Sequence, residues 1–204
     1  LRDYGGALTL GGDTSLEYMS LDGFVDEFAI YNEALTEDAI AALYEMTSAG
    51  NAYCSVDPEI SPPIVDDPDE WIQEELEDID HPTACLDDMI HYWPINEGEG
   101  IEIADLVAED NGTINGAVWE DGTLKFSNTV DAEETVLIPH SESLDMGADS
   151  ITLAFWVKTT EWEELVWNNV ISKTKTADGA TRGWKYDLGT NSAWGGRSIF
   201  WFMD

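Results

Sequence analysis

Basic residues are scarce in this 204-residue chain: eight Lys and Arg stand against 43 Asp and Glu, giving a formal charge of −35. A surface so anionic repels nucleic acid and anionic lipid, which excludes the polyanion binders. Long apolar runs are lacking too. None approaches the ~18–20 residues of a spanning helix, so membrane insertion is not expected. Cysteine is limited to Cys54 and Cys85, with no Cys-x-x-Cys and no Cys/His ligand set, which argues against a zinc ribbon or a dithiol redox centre. The three histidines, His81, His91 and His140, are scattered and form no nucleophile–base pattern. No phosphate-binding or dinucleotide-type glycine motif follows a strand pattern. The chain opens on Leu1 without a charged-then-apolar leader and reads as a soluble piece of something longer, or a processed product.

Core-forming residues are plentiful. Hydrophobic residues make up 43% of the chain and aromatics 11%, enough for one or two folded domains. The charge is uneven: from Lys158 onward six basic residues balance six acidic ones, so the whole −35 falls on the first 157 residues. Such a surface needs salt or divalent cations to screen it, which fits a saline or calcium-rich exterior best, the alternative being that the acidity reflects only the source organism's solvent.

Glycine pairs (Gly5-Gly6, Gly11-Gly12) punctuate short apolar stretches at the start, as tight turns between strands do. The run GFVDEFAIY alternates Phe24, Asp26, Phe28 and Ile30 against Val25, Glu27, Ala29 and Tyr31, the pattern of a strand buried on both faces. Thr36 then caps a predicted helix with Glu37 and Asp38 in its first turn and Ile40, Leu43 and Tyr44 on one face, stopping near Gly50. Residues 54–85 are rich in proline and acid and read as an extended linker, with a short helix starting at Asp67-Pro68-Asp69-Glu70. Beyond it, runs at 89–95, 113–119, 122–126, 134–139, 150–159 and 166–173 are β-branched and aromatic, separated by Asn-Gly and Asp-Gly turns. Short strands so punctuated predict an all-β, antiparallel sandwich or jelly roll with short helices.

The stretch GFVDEFAIYNEALTEDAIAALY resembles the closing segment of laminin-G-like, concanavalin A-like sandwich domains. HYWPINEGEG, IADLVAEDNGTINGAVW, GTLKF, ETVLIP and SITLAFWVKT resemble the opening half of the same domain type. An ending therefore precedes a beginning. The expected organisation is the C-terminal part of one sandwich at 1–53, the acidic linker at 54–85, and the N-terminal part of a second at 86–204. A second account has the ending dock onto the beginning of a neighbouring copy, completing open sheet edges in a fibre.

The resemblance implies calcium held by Asp105 of the early turn and Asp26 of the late strand, with Asp110 or Asn111 beside them. Asp26 has a plainer reading as a buried acceptor of backbone N–H groups. A Cys54–Cys85 disulfide would close a loop of about 31 residues, worth roughly 3–4 kcal/mol; separate buried thiols or an outside partner are the alternatives. Among nine tryptophans, Trp93, Trp119 and Trp156 sit in strand patterns and read as core. Trp162, Trp167, Trp184 and Trp194 lie in or near polar, glycine-containing stretches, and Trp184 and Trp194 are the glycan-stacking candidates. Related sandwich glucanases carry a Glu-x-Asp-x-x-Glu strand that is absent here, and alternation places Asp26 and Glu27 on opposite faces. Asn111-Gly112-Thr113 is a glycosylation triplet in a predicted turn, consistent with export.

These readings converge on a non-catalytic, extracellular or surface-displayed module of a tandem repeat protein that binds glycans or matrix proteins with structural calcium. The alternatives are a subunit of an extracellular fibre or virion appendage built by complementation between copies, and an accessory domain of a polysaccharide-degrading enzyme.

Overall fold

A computed structural model describes residues 5–12, 20–53, 88–127, 134–145, 150–159, 167–177, 180–189 and 197–203. They divide between two compact units, Leu1–Leu35 with Met89–Asp204, and Thr36–Asp88. The first unit is all-β. Its strands are β1 (Leu8–Leu10), β2 (Gly23–Tyr31), β3 (Met89–Trp93), β4 (Glu102–Ile103), β5 (Gly112–Asn115), β6 (Val118–Glu120), β7 (Thr123–Phe126), β8 (Thr135–Ile138), β9 (Thr152–Thr159), β10 (Trp167–Ala177), β11 (Ala180–Gly189) and β12 (Arg197–Met203). All described pairings are antiparallel. One sheet runs β12-β11-β10-β1-β8-β5-β4; the other runs β3-β2-β7-β6, with β9 on β2.

One core joins the two sheets. Leu8, Leu10, Val136, Ile138 and Ile171 come from the seven-stranded sheet and Val25, Phe28, Ile30, Trp93, Leu124 and Phe126 from the other, all fully buried or nearly so. Period-two alternation puts each set on one face of its sheet, and packing the two faces removes both from water. Gly11, at φ +79, sits where a Cβ would fall 2.1 Å from the Phe126 ring, so the turn after β1 admits no side chain.

The sequence order separates residues 1–53 from 86–204 as parts of different sandwiches; in the structure their strands share both sheets. β1 lies between β10 and β8, and β2 lies between β9 on one side and β7 followed by β3 on the other. The ending and the beginning thus meet within one chain. The physical reason is edge satisfaction: β1 and β2 each offer hydrogen-bonding groups on both sides, and the later strands supply both sets of partners.

β2 departs from simple alternation. Its register with β9 shifts between Asp26 and Ala29, and Glu27 takes φ 54, so one extra residue is accommodated there as a bulge. Val25 therefore joins Phe28 and Ile30 in the core, while Phe24 and Asp26 face outward. The expected run at 113–119 is two strands, β5 and β6, because the chain turns at Asn115-Gly116, where Gly116 has φ 76.

In the second unit, α1 (Glu37–Ser48) begins where the sequence places it, with Thr36 Oγ1 accepting the Ala39 amide at 3.2 Å. Its apolar stripe is not buried: Ile40 is 52% and Tyr44 62% exposed. The predicted linker helix near Asp67 and both cysteines lie outside the described residues.

Candidate functional site

β3 carries His91 toward the core side, opposite Ile30 of β2 and stacked on Trp93 with ring centroids 5.2 Å apart and planes 5° apart. The loop after β4 brings Asp105 back against β3. Asp105 Oδ2 meets His91 Nδ1 at 2.7 Å, and its Oδ1 accepts the amides of Tyr92 at 3.0 Å, Val107 at 3.0 Å and Ala108 at 3.3 Å. Burial pushes the Asp105 carboxyl up, but the His91 and backbone hydrogen bonds outweigh it and leave the group below the ordinary carboxylate range. Asp110 joins from the same loop: its Oδ2 lies 3.8 Å from His91 Nδ1 and accepts the hydroxyls of Ser141 and Ser143. Its backbone carbonyl accepts Trp93 Nε1–H at 2.9 Å. His91 is fully buried, and its Nε2 has no hydrogen-bond partner among the described residues.

Of the four residues expected at a calcium site, three come together and one does not. Asp105, Asp110 and Asn111 share the loop, with Asn111 Oδ1 accepting the Asp105 amide at 3.1 Å. Asp26 lies across from Trp156 on the outward face of β2, away from the core side that His91 occupies. The donors do not fit calcium, which takes six to eight oxygens. Among the described residues only two carboxylates and one side-chain amide gather here, around a nitrogen, His91 Nδ1. Nor is this a Ser-His-Asp arrangement, since no described hydroxyl reaches His91 Nε2.

A second locus was hidden by the bulge. On the outward face of the smaller sheet, Phe24 lies between Lys125 and Lys158, whose Nζ atoms sit 5.6 and 5.5 Å from its ring centroid. Asp26 follows Phe24 and pairs across β9 with Trp156, while Glu27 Oε2 accepts the Tyr92 hydroxyl at 2.6 Å. Phe24, Asp26 and Trp156 are each partly exposed and Lys158 is exposed. Tyr92 alternates with core-facing Trp93, so Asp26 and Glu27 lie on the same side of β2, not on opposite faces. Trp156, expected in the core, is outward, whereas Trp184, a glycan-stacking candidate, is 4% exposed within the core cluster and stacks on Phe200 at 5.4 Å. Trp162, Trp194 and the Trp167 side chain lie outside what the structure describes. The signal that could have found this face is the Asp-Glu pair inside an apolar strand, where a bulge relieves the burial of a charge.

Burial and the adjacent Glu27 carboxylate push the Asp26 carboxyl up to about 6, against the pull of the Glu27 amide. The folded chain then holds this proton to higher pH than the unfolded chain, which releases it near 3.8. Stability falls as pH rises through that window and stays lower above it. Asp26→Asn removes the effect and, because solvent screens this half-buried group, is expected to gain about 1–2 kcal/mol at pH 7.5. Urea denaturation from pH 4 to 7.5 checks it: parallel curves for the two proteins would mean that Asp26 titrates alike folded and unfolded.

No protein-family model, curated protein or solved structure matches the chain.

Proposed function

We propose that the chain is a non-catalytic binding module, displayed outside the cell, that takes a glycan or a matrix protein on the outward face of its smaller sheet. The observation that supports this is the chemistry gathered there: Phe24 and Trp156 offer apolar ring surface, Lys125 and Lys158 offer donors, and Asp26 offers an acceptor or, near its raised pKa, a donor. Sugars and protein side chains alike are held by aromatic surface with a few fixed polar groups. The face also carries two of the chain's eight basic residues, Lys158 and Lys125, the latter paired with Glu120 at 2.8 Å.

A panel of immobilised glycans and matrix proteins, probed with the wild type and with Trp156→Ala and Lys158→Ala, tests this reading. The expected result is a ligand whose affinity drops tenfold or more in Trp156→Ala, since a hot-spot aromatic is worth 2 kcal/mol or more. Unchanged affinity in both variants, or no ligand in the panel, would remove the face from the function.

A second reading, a fibre or appendage subunit, needs no change of register at β1 and β2. Their pairings with β8, β10, β3, β7 and β9 are the same ones a neighbouring copy would supply by strand exchange. Light scattering separates the two: a single mass at all concentrations favours the module, and a growing series favours exchange.

A further inference from the structure

We propose that His91, Asp105 and Asp110 form a site for one divalent cation of the zinc class, bound through an imidazole nitrogen and two carboxylate oxygens. This site is independent of the outward face and does not rest on it.

The three ligand atoms lie within 4.8 Å of one another. Bonds of ~2.0–2.1 Å in a tetrahedron set neighbouring ligands about 3.4 Å apart. The separations from His91 Nδ1, 2.7 Å to Asp105 and 3.8 Å to Asp110, bracket that spacing. One nitrogen and two oxygens suit a borderline cation, where calcium would demand more oxygens.

The surroundings orient the donors as outer-shell groups orient metal ligands. Three backbone amides fix Asp105 through Oδ1 and leave Oδ2 turned to His91. Ser141 and Ser143 hold the Asp110 carboxylate, and Trp93 fixes the plane of the imidazole. Among the described residues no lysine or arginine pairs with either carboxylate, so two acidic side chains gather beside the imidazole with no lysine or arginine between them. His91 is an independent pointer. It is wholly buried, and its one hydrogen bond among the described residues is made by Nδ1, to Asp105, so the nitrogen that would bind the cation faces the carboxylates. The Asp110 side chain, 23% exposed, gives the cation a path in and leaves a fourth position for water. On binding, the ring's one proton moves from Nδ1 to Nε2, so the imidazole stays neutral and the Nδ1 lone pair takes the cation.

Cobalt(II) is the probe, because its tetrahedral complexes absorb visibly and the chain's exposed carboxylates do not produce that spectrum. The full chain is titrated with cobalt in excess calcium and magnesium, which occupy the diffuse surface acids. The expected result is a visible band saturating at one cobalt per chain, bleached by zinc and lost in His91→Gln. Asp110→Asn weakens it tenfold or more, and Asp26→Asn leaves it unchanged. A folded wild type without the band, or a band of equal strength in His91→Gln, overturns the site. Should His91→Gln fail to fold, Asp110→Asn carries the same decision, and an unchanged band there is equally fatal.

Discussion

Trp93→Ala is expected to lower unfolding stability by about 3–5 kcal/mol, the range for a buried aromatic truncated to alanine. Trp93 is fully buried and stacks on two rings at once, Phe28 at 5.2 Å and His91 at 5.2 Å, while its indole N–H reaches the Asp110 carbonyl. Truncation opens a cavity between the sheets and also releases the loop that carries Asp110. Against the ~5–15 kcal/mol of a typical domain, this leaves the chain near its unfolding threshold. Trp93→Phe keeps most of the ring contact and loses only the N–H, so about 1–2 kcal/mol is expected from it. Urea denaturation followed by circular dichroism checks the pair. Equal losses in both variants would place the whole effect in the hydrogen bond and none in the packing.

Asp105→Ala is expected to cost a comparable about 3–5 kcal/mol, because each buried donor left without its acceptor costs ~1–3 kcal/mol. One change strands the His91 Nδ1–H and three backbone amides at a site where Asp105 is 4% exposed. The carboxyl also sets a pH signature opposite to that of Asp26. Its folded pKa lies below the ordinary 3.8 of an aspartate, so its contribution is fully present above that value and is lost as pH falls through the folded one. Acid unfolding of the wild type should therefore be steepened below about pH 4 by Asp105. Asp105→Asn, which keeps an acceptor for the amides, should lose less stability at pH 7 and show a shallower acid limb. Superimposable acid limbs would mean that another carboxylate governs the transition.

Much of the fold could be read along the chain because it rests on local signals. Thr36 with Glu37 and Asp38 marks the start of α1, and β7, β8 and β9 fall inside runs marked by their β-branched and aromatic residues. Two kinds of feature escaped. A bulge moves the face of every residue beyond it, so Phe24, Asp26 and Trp156 could be placed only once Glu27 was seen at positive φ. Polar residues in β10 and β11 look solvated in sequence but are buried by their neighbours: Asn169 donates to Asp187 Oδ1 at 2.8 Å and Lys185 lies 3.0 Å from Asp187 Oδ2, all three nearly or wholly inaccessible. The candidate cluster was half legible. Its loop carboxylates stood out in the early turn, but His91 became a member only through the fold-back of residues 104–111 onto β3.

The interior position of β1 and β2 has a consequence for how the molecule reaches its fold. Thr9 bonds Ser172 across 163 residues, so the centre of the larger sheet closes only when nearly the whole chain is available. Loop-closure entropy grows only with the logarithm of length, which makes this cheap at equilibrium. The rate is another matter, because non-local pairing must precede its reward and folding slows as contacts lengthen. On the ribosome β1 and β2 emerge before β8, β9 and β10, and until those partners are made an apolar strand such as GFVDEFAIY is exposed to wrong pairing.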